Sequence, residues 1–298
     1  MKKNNINIEI THILLKSMFQ PALLPRANDA NKGLFGSVAI IGGDTGMVGG
    51  AFLAARAAQL SGAGRTYAAC LSQAAPSVDL LHPEIMLRSP TSLMALYKHE
   101  SLQLNCVVIG PGLGKSELAI KLLTFWLTQN VSILLDADAL NLIATHPHLA
   151  TMTKNRQAET IITPHPGEAA RLLSISIERI QQNRPESALT LANILHATCV
   201  LKGAGTICAD YDGSWFINTS GNPGLASGGT GDVLSGIIGC LIAQGLNGIS
   251  AAKLGVYVHG AAADALVAQN IGPVGLTATE VAQQVRHIIN QLNKIEAK

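Results

Sequence analysis

Short, continuous runs of apolar residues alternate along this chain of 298 residues with longer segments rich in alanine and leucine. The runs at 38–41 and Ser132–Leu135 have the length of strands, whereas 48–62 and 117–129 have the length and apolar spacing of helices. Strands that are apolar at every position are typical of parallel sheets covered by helices on both faces. The alternation therefore predicts an α/β fold built on a mostly parallel sheet.

The same pattern continues along most of the chain and predicts the remaining elements. Further strands are expected at 66–71, Cys106–Ile109, 160–163, 199–201, Thr206–Ala209 and 214–218, the last of these forming an antiparallel edge. Further helices are expected at 187–196, 231–244, 249–269 and 278–294. Residues 1–32 contain several breaker residues and are predicted to be irregular. No repeat or linker interrupts the pattern, so residues 1–298 are predicted to form a single domain.

Composition excludes several classes of protein. Charged residues make up 13% of the chain and the net charge is +2, which is too small for a protein that binds nucleic acid through a basic surface. The apolar stretch at 233–243 is shorter than the roughly 20 residues of a membrane-spanning helix, and the basic N-terminus lacks the apolar segment of a signal peptide. Five isolated cysteines are typical of buried thiols in a reducing compartment rather than of a zinc site. We therefore expect a cytoplasmic protein without nucleic-acid or membrane partners, and the low charge favours a homo-oligomer.

Residues with catalytic or binding chemistry follow the predicted strands. In open α/β sheets, ligands bind beyond the carboxyl ends of the strands. The segments at these ends contain glycines, acids, a histidine and a lysine: Gly42-Gly43-Asp44, Gly110-Pro111-Gly112-Leu113-Gly114, Asp136-Ala137-Asp138, Thr163-Pro164-His165-Pro166-Gly167-Glu168 and Lys202-Gly203-Ala204-Gly205-Thr206. Their coincidence at one end of the sheet predicts a ligand site there.

Two segments are close to common nucleotide-binding motifs without matching them. Residues 43–49 have the spacing G-x-x-G-x-x-G rather than the G-x-G-x-x-G of a dinucleotide site, and no acidic residue ends a strand about 20 residues later. Residues 110–116 are one residue short of a P-loop, whose length determines how backbone amides surround a phosphate. Neither a Rossmann NAD site nor a Walker A site is predicted. The second segment is either a tight strand-to-helix turn or a place where backbone amides meet a ligand.

The most informative segment is Gly228-Gly229-Thr230-Gly231-Asp232, which leads directly into an apolar helix. Glycines let the backbone turn its N–H groups toward a ligand, and the start of a helix carries partial positive charge, so together they form an anion hole. Asp232 falls in the first helical turn, beside this anion hole. It is either a functional carboxylate or a residue that only caps the helix and complements its dipole. The glycines before it favour a function.

Three further positions have both a functional and a structural interpretation. Lys202 either ends a strand in solvent or binds a nucleotide phosphate together with the amides and the hydroxyl of residues 203–206. His165, between two prolines that stiffen the backbone, belongs either to the site or to a turn. Asp136 and Asp138 end a strand on its ligand side, but Asp138 is equally suited to cap the segment that follows.

Taken in order, these motifs resemble the ADP-dependent NAD(P)H-hydrate dehydratases of the ribokinase-like superfamily. The resemblance runs from about residue 21 to 294 and rests on Lys32-Gly33 with Phe35-Gly36, Gly42-Gly43 with Gly50-Ala51, Gly110-Pro111-Gly112-Leu113-Gly114, Leu135-Asp136-Ala137-Asp138-Ala139-Leu140-Asn141, Thr163-Pro164-His165-Pro166-Gly167-Glu168, Leu201-Lys202-Gly203 and Gly228-Gly229-Thr230-Gly231-Asp232. It implies a three-layer sandwich in which helices cover both faces of the sheet. It also implies the removal of water from the S epimer of hydrated NADH or NADPH at the expense of ADP, which yields AMP and phosphate.

The resemblance further assigns roles to individual residues. The hydrated dinucleotide would contact Ala51, Gly112, His165 and Asp232. The adenine nucleotide would contact Lys202, Gly203, Ala204, Gly205, Thr206 and Gly231. Mg²⁺ would assist, with Glu168 as a ligand through water. Asp232 would be the catalytic base, and the amides of Gly228, Gly229, Thr230 and Gly231 would stabilise the phosphoryl group during its transfer.

Two features depart from the family pattern, and two alternatives stay open. Many members carry an N-terminal epimerase domain, for which 298 residues leave no room, so we expect another protein to supply the epimerase activity. Asn31 occupies a position where the family often has histidine.

A ribokinase-like kinase of a small alcohol, such as a vitamin precursor, shares the Gly-Thr-Gly-Asp segment, and a nucleotide-sensing module without activity is a third interpretation. The choice between ADP and ATP, the choice between the two hydrated dinucleotides and the number of subunits are also open.

Overall fold

A nine-stranded sheet forms the centre of the computed structural model, which describes residues 10–19, 23 and 25–294. The strands are β1 (Ser37–Gly42), β2 (Arg65–Cys70), β3 (Met86–Arg88), β4 (Cys106–Ile109), β5 (Ser132–Leu135), β6 (Thr160–Ile162), β7 (Thr198–Leu201), β8 (Thr206–Ala209) and β9 (Trp215–Asn218). Their order is β3-β2-β1-β4-β5-β6-β7-β8-β9. Strands β1 to β7 pair in parallel, whereas β8 pairs antiparallel with both of its neighbours. The predicted mostly parallel sheet with an antiparallel edge is confirmed.

Helices pack on both faces of this sheet. They are α1 (Val48–Leu60), α2 (Pro90–Lys98), α3 (Glu117–Leu127), α4 (Asp138–Thr145), α5 (Pro147–Lys154), α6 (Pro166–Leu173), α7 (Ile177–Gln182), α8 (Arg184–Leu195), α9 (Thr230–Ala243), α10 (Gly248–Ala268) and α11 (Ala278–Leu292). One apolar core joins a sheet face to α1, α9, α10 and α11, and a second core joins the opposite face to α2 through α8. The three-layer sandwich is therefore also confirmed.

The central strands are apolar at every position because both of their faces are covered. Successive side chains of a strand point to opposite faces of the sheet. Ile40 of β1 and Val108 of β4 lie in the first core, whereas their neighbours Ile41 and Val107 lie in the second, and all four are fully buried.

The sequence pattern does not predict the short elements of the described chain. These are β3, α2 and the helices α4 to α7, which have three to nine residues each. Helical periodicity is indistinct over so few residues. Helix α6 begins at Pro166, inside a motif for which no helix is predicted, and α8 begins at Arg184 rather than at Ser187. Both differences fall next to the ligand end of the sheet.

The described part of the N-terminal segment is less irregular than predicted. Short 3₁₀ turns occur at Ile10–His12 and Lys16–Phe19, while residues 1–9, 20–22 and 24 lie outside the described part of the chain. The His12 ring stacks on Trp215 with 4.0 Å between ring centroids, and Nδ1 of His12 lies 2.9 Å from the carbonyl oxygen of Trp215. These contacts hold the segment against the antiparallel edge of the sheet.

The order of the strands creates a switch point between β1 and β4. The chain runs outward from β1 to β2 and β3, and then returns to the other side of β1 with β4. The loops after β1 and β4 therefore leave the sheet in opposite directions and open a crevice, which is where open α/β sheets bind ligands. Among the described residues, no helix is long and apolar enough to cross a membrane.

Candidate active site at the switch point

Glycines bring the loops after β1 and β4 together. The N–H of Gly43 donates to the carbonyl of Pro111 at 2.9 Å, and the N–H of Asp44 donates to the carbonyl of Gly112 at 2.6 Å. A side chain on Gly42 would collide with the Pro111 carbonyl, and Gly112 has a φ of +57° with the Met47 backbone close beside it. The segment after β4 is thus a tight turn that holds Gly112 at the crevice.

The start of α9 presents free backbone amides to the same crevice. Gly229, the residue before the helix, has a φ of +87°, which favours glycine. Within the described chain, the N–H groups of Gly228, Gly229 and Gly231 donate to no protein acceptor. The Thr230 hydroxyl donates instead to the carbonyls of Leu225 at 2.7 Å and Ser227 at 2.9 Å, so it shapes the loop. Backbone N–H groups at the start of α9 are therefore available to an anion, which is what the predicted anion hole requires.

Asp232 points across the crevice from α9. A Cβ on Gly50 would lie 3.2 Å from Oδ2 of Asp232 and 3.5 Å from the backbone nitrogen of Gly112, which places the carboxylate opposite the start of α1 and the loop after β4. No hydrogen bond to the Asp232 side chain occurs in the described structure, so it is not a capping residue of α9. Burial, reinforced by the negative charge of Asp136, raises the pKa of Asp232 to about 6 against the opposing charge of Lys202. A free carboxylate with this pKa can accept a proton at neutral pH.

Lys202 lies at the centre of a group of carboxylates. Its Nζ donates to Oδ1 of Asp136 at 2.6 Å and lies 3.9 Å from Oε2 of Glu168. Although burial disfavours the ammonium charge, these two carboxylates raise the pKa of Lys202 above its ordinary value. Its Nζ is also 3.5 Å from the position that a Cβ of Gly231 would take. Lys202 is therefore a cation held beside the start of α9 and not a solvated strand end.

His165 and Glu168 form the capping box of α6. Nδ1 of His165 accepts from the N–H of Gly167 at 2.9 Å, while Oε2 of Glu168 accepts from the N–H of His165 at 2.7 Å. Nε2 of His165 lies 3.3 Å from Oε1 of Glu168. Burial, followed by the charge of Lys202, lowers the pKa of His165, so its ring is neutral at pH 7. Burial raises the pKa of Glu168, and Lys202 only partly offsets this.

The structure gives Asp136 and Asp138 different positions. Asp136 is 1% exposed, and its Oδ2 accepts from the Ser235 hydroxyl at 2.7 Å. Asp138 is the first residue of α4, and its Oδ2 accepts from the N–H of Gly114 at 2.9 Å. Asp138 therefore connects α4 to the loop after β4, whereas Asp136 lies inside the charged cluster.

The predicted nucleotide segment is the turn between β7 and β8. Gly203 and Gly205 have φ values of +134° and +66°, and Gly203 and Ala204 are exposed. The N–H of Lys202 donates to the carbonyl of Pro164 at 2.9 Å, which ties the turn to the segment before α6. Ala51, a predicted contact residue on α1, is fully buried, and its Cβ lies beside Gly43 in the loop after β1.

A family model for NAD(P)H-hydrate dehydratases matches residues 38–287. The chain belongs to this dehydratase family. The ADP-dependent (S)-NAD(P)H-hydrate dehydratase of Neisseria meningitidis is 40% identical over 272 residues, which cover 90% of this chain and 90% of that protein. The bifunctional NAD(P)H-hydrate repair enzyme Nnr of Coxiella burnetii is 42% identical over 270 residues, which cover 91% of this chain and 54% of that protein. The chain thus spans about half the length of the bifunctional relative.

A solved dehydratase has the same fold. The ADP/ATP-dependent NAD(P)H-hydrate dehydratase of Bacillus subtilis, co-crystallised with ATP and Mg²⁺, superposes with a TM-score of 0.82 at 28% identity, over 94% of this chain and 98% of that chain. The ribokinase-like architecture inferred from the motifs is confirmed by this match.

One departure from the dehydratase pattern has a local explanation. Asn31 caps the 3₁₀ turn Lys32–Phe35, and its Oδ1 accepts from the N–H of Gly33 at 2.9 Å. Asparagine is among the residues that cap helix starts best. A structural role at the start of this turn therefore accounts for Asn31.

Two residues of the site have no signal in the dehydratase motifs considered above. Ser235 lies inside the mostly apolar run 233–243, which gives no sign of a polar role. Only the structure shows that its hydroxyl donates to Asp136. Arg184 lies before the predicted start of its helix, but its guanidinium reaches the turn between β7 and β8. Neither contact is local in sequence, so neither was predictable from spacing.

Proposed function

We propose that this chain catalyses the ADP-dependent dehydration of the S epimer of hydrated NADH or NADPH, releasing AMP and phosphate. The observation that supports this most directly is the position of Asp232. Its free carboxylate combines with the amide-lined start of α9 and faces the crevice at the switch point. A base beside an anion hole is the arrangement that phosphoryl transfer to a substrate hydroxyl requires.

The two ligands occupy different sides of the crevice in this proposal. The hydrated dinucleotide contacts Ala51, Gly112, His165 and Asp232, which come from α1, the loop after β4, the start of α6 and α9. The adenine nucleotide contacts Lys202, Gly203, Ala204, Gly205, Thr206 and Gly231, which lie on the turn after β7 and at the start of α9. The proximity of Lys202 to Gly231 supports one continuous phosphate site between these two elements.

The chemistry then follows in two steps. Asp232 accepts the proton of the ring hydroxyl as that oxygen bonds to the β-phosphorus of ADP, and the bond between this phosphorus and the bridging oxygen breaks to release AMP. In the second step the carbon–oxygen bond to the phosphate breaks and a proton leaves the adjacent ring carbon, which restores the dihydronicotinamide. Lys202 and the amides of Gly228, Gly229, Thr230 and Gly231 stabilise the negative charge on the phosphoryl group.

The carboxylates of the site are compatible with a magnesium ion that is bound mainly by the phosphates of ADP and only weakly by the protein. Among the described residues, no group of three or more His, Cys, Asp or Glu side chains could hold a metal ion. The oxygens of Asp136 are engaged by Lys202 and Ser235, and those of Glu168 by the capping box. Mg²⁺ commonly binds substrate phosphates with few protein ligands and several waters, and we propose that Glu168 contacts it through water. When bound, the ion offsets phosphate charge.

The test of this function is an analysis of products. The protein is incubated with the S epimer of hydrated NADH, Mg²⁺ and either ADP or ATP, while the absorbance of reduced nicotinamide, AMP and free phosphate are measured. We expect recovery of NADH with one phosphate released per molecule restored. A kinase of a small alcohol would leave the hydrate unchanged, and a sensor would bind nucleotide without turnover. Either result would contradict the proposal.

The assembly and location of the enzyme are part of the same proposal. We propose that residues 1–298 act as one cytoplasmic domain that forms a homo-oligomer. The low share of charged residues, 13%, supports burial of surface between subunits. Light scattering of the purified protein tests the oligomer.

A further inference from the structure

We propose that Arg184 is a positioning residue for the nucleotide, because it holds the turn between β7 and β8 in the conformation that directs the N–H groups of Gly203 and Ala204 toward a phosphate. The inference rests on the proposed function, since it requires ADP to bind at this turn.

The Arg184 guanidinium donates hydrogen bonds to three carbonyl groups in and beside the turn. Nη2 donates to the carbonyl oxygens of Leu201 at 3.0 Å, Lys202 at 3.2 Å and Gly205 at 3.4 Å. Nη1 donates to Oε1 of Gln181 at 2.9 Å, which fixes the orientation of the guanidinium plane. The two terminal nitrogens of the planar guanidinium contact the carbonyl groups and Gln181 at the same time, whereas a lysine side chain has a single nitrogen and cannot make both sets of contacts.

The Thr206 hydroxyl completes this arrangement. It donates to the carbonyl of Gly203 at 2.8 Å. With Arg184, it therefore holds the carbonyl groups of both Lys202 and Gly203.

The direction of the carbonyls determines the direction of the amides. In a planar trans peptide the C=O and the N–H of the next residue point in opposite directions. Because the carbonyls of Lys202 and Gly203 are held by Arg184 and Thr206, the N–H groups of Gly203 and Ala204 point away from these two side chains. Within the described chain neither N–H donates to a protein acceptor, and both residues are exposed. Successive outward amides form a concave anion-binding surface.

Local features show that the turn is built around this guanidinium. Gly203 has a φ of +134°, and a Cβ there would lie 3.2 Å from both Nη1 and Nη2 of Arg184. Burial lowers the pKa of Arg184, and its Nε is buried without a hydrogen-bond partner in the described structure. Burying a cation costs free energy. Here the cation is buried against three carbonyl groups, of Leu201, Lys202 and Gly205, which offset part of that cost.

The test measures ADP binding by calorimetry in the presence of Mg²⁺. Its variants are Arg184→Met, Arg184→Lys, Thr206→Val and Thr206→Ser, and the matched control is Arg179→Met, which changes an exposed arginine on α7. We expect the Kd for ADP to rise about tenfold or more in Arg184→Met, because two or more hydrogen bonds that shape the site are lost. Arg184→Lys should not restore binding, and Thr206→Ser should bind ADP better than Thr206→Val. The control should bind as the unchanged protein does.

Steady-state kinetics separate positioning from general destabilisation. In Arg184→Met we expect KM for ADP to rise while kcat and KM for the hydrated dinucleotide change much less, measured below the melting temperature of the variant. Unchanged ADP affinity in a folded Arg184→Met protein, or equal losses for both substrates, would overturn the inference. If the unchanged protein bound no ADP, the proposed function itself would fail, and the inference with it.

Discussion

Nζ of Lys202 and Oδ1 of Asp136 lie 2.6 Å apart, and the other oxygen of Asp136 accepts a 2.7 Å hydrogen bond from Ser235. Ser235 follows Asp232 by three residues on α9, so it lies on the same side of the helix. A single buried carboxylate thus fixes the end of β7 relative to the helix that carries the base. This connection helps to set the position of Lys202 relative to Asp232, the proposed base.

Replacing Asp136 should affect both position and charge. In Asp136→Asn we expect kcat/KM to fall, and its acidic midpoint to move to lower pH, because the negative charge of Asp136 helps to raise the pKa of Asp232. Asp138→Asn is the control, since Asp138 contributes less to that pKa and contacts Gly114 instead. A midpoint that moves equally in both variants would show that Asp136 has no special influence on Asp232.

The unchanged enzyme should lose activity below about pH 6. Asp232 must be ionised to accept a proton, and its pKa is raised to about 6. The expected profile of kcat/KM therefore falls toward low pH with a midpoint near that value. A profile that stays flat down to pH 5 would contradict the assignment of Asp232 as the base.

Lys202→Ala should weaken nucleotide binding more than dinucleotide binding. A charge-assisted contact to a phosphate is worth roughly 1.5–3 kcal/mol, which corresponds to about 10- to 150-fold in KM for ADP. Lys115→Ala is the matched control, because Lys115 is exposed on the turn that is one residue short of a P-loop. If Lys115→Ala produced the larger effect, the phosphate site would lie after β4 rather than at the start of α9.

Gly229→Val should disrupt the anion hole. Gly229 has a φ of +87°, and a Cβ there would collide with the side chain of Leu53. Gly245→Val is the control, because Gly245 also has a positive φ, +99°, but lies beyond the opposite end of α9. Calorimetric titration with ADP checks both variants. If folded Gly229→Val bound ADP as tightly as the unchanged protein does, the amides of this loop would not belong to the phosphate site.

Much of the sheet was predictable because its strands are buried on both faces. Cys106–Ile109, Ser132–Leu135 and Thr206–Ala209 have the predicted bounds, because each run consists mainly of buried apolar residues. Segments such as α6 were not predictable, because its start depends on the His165–Glu168 capping box and its length is only 8 residues.

The parts of the candidate site that depend on neighbouring residues were predictable from the sequence. The glycines and the helix start that would form the proposed anion hole lie in five consecutive residues, from Gly228 to Asp232. The bonds from Asp136 to Lys202 and Ser235 join residues 66 and 99 positions apart, and only the fold brings them together. The same holds for the contact of Arg184 with the turn after β7.

The stability of Asp232→Asn distinguishes loss of the base from loss of the fold. A carboxyl group whose pKa is raised on folding destabilises the native state when it is ionised, so this contribution to stability improves as pH falls from about 6 toward 4. The neutral amide removes that cost. We therefore expect Asp232→Asn to melt at the same temperature as the unchanged enzyme, or at a higher one, at pH 7.

The most direct measurement is the kcat of Asp232→Asn for hydrated NADH and ADP at neutral pH, in a sample shown to be folded. The amide keeps the shape of the side chain but cannot accept the proton, so we expect kcat to fall by about 10²- to 10⁴-fold. The affinity for ADP should change little, because the amides at the start of α9 and Lys202 remain in place. A folded Asp232→Asn enzyme that keeps more than about a tenth of the original kcat would contradict the role of Asp232 as the base.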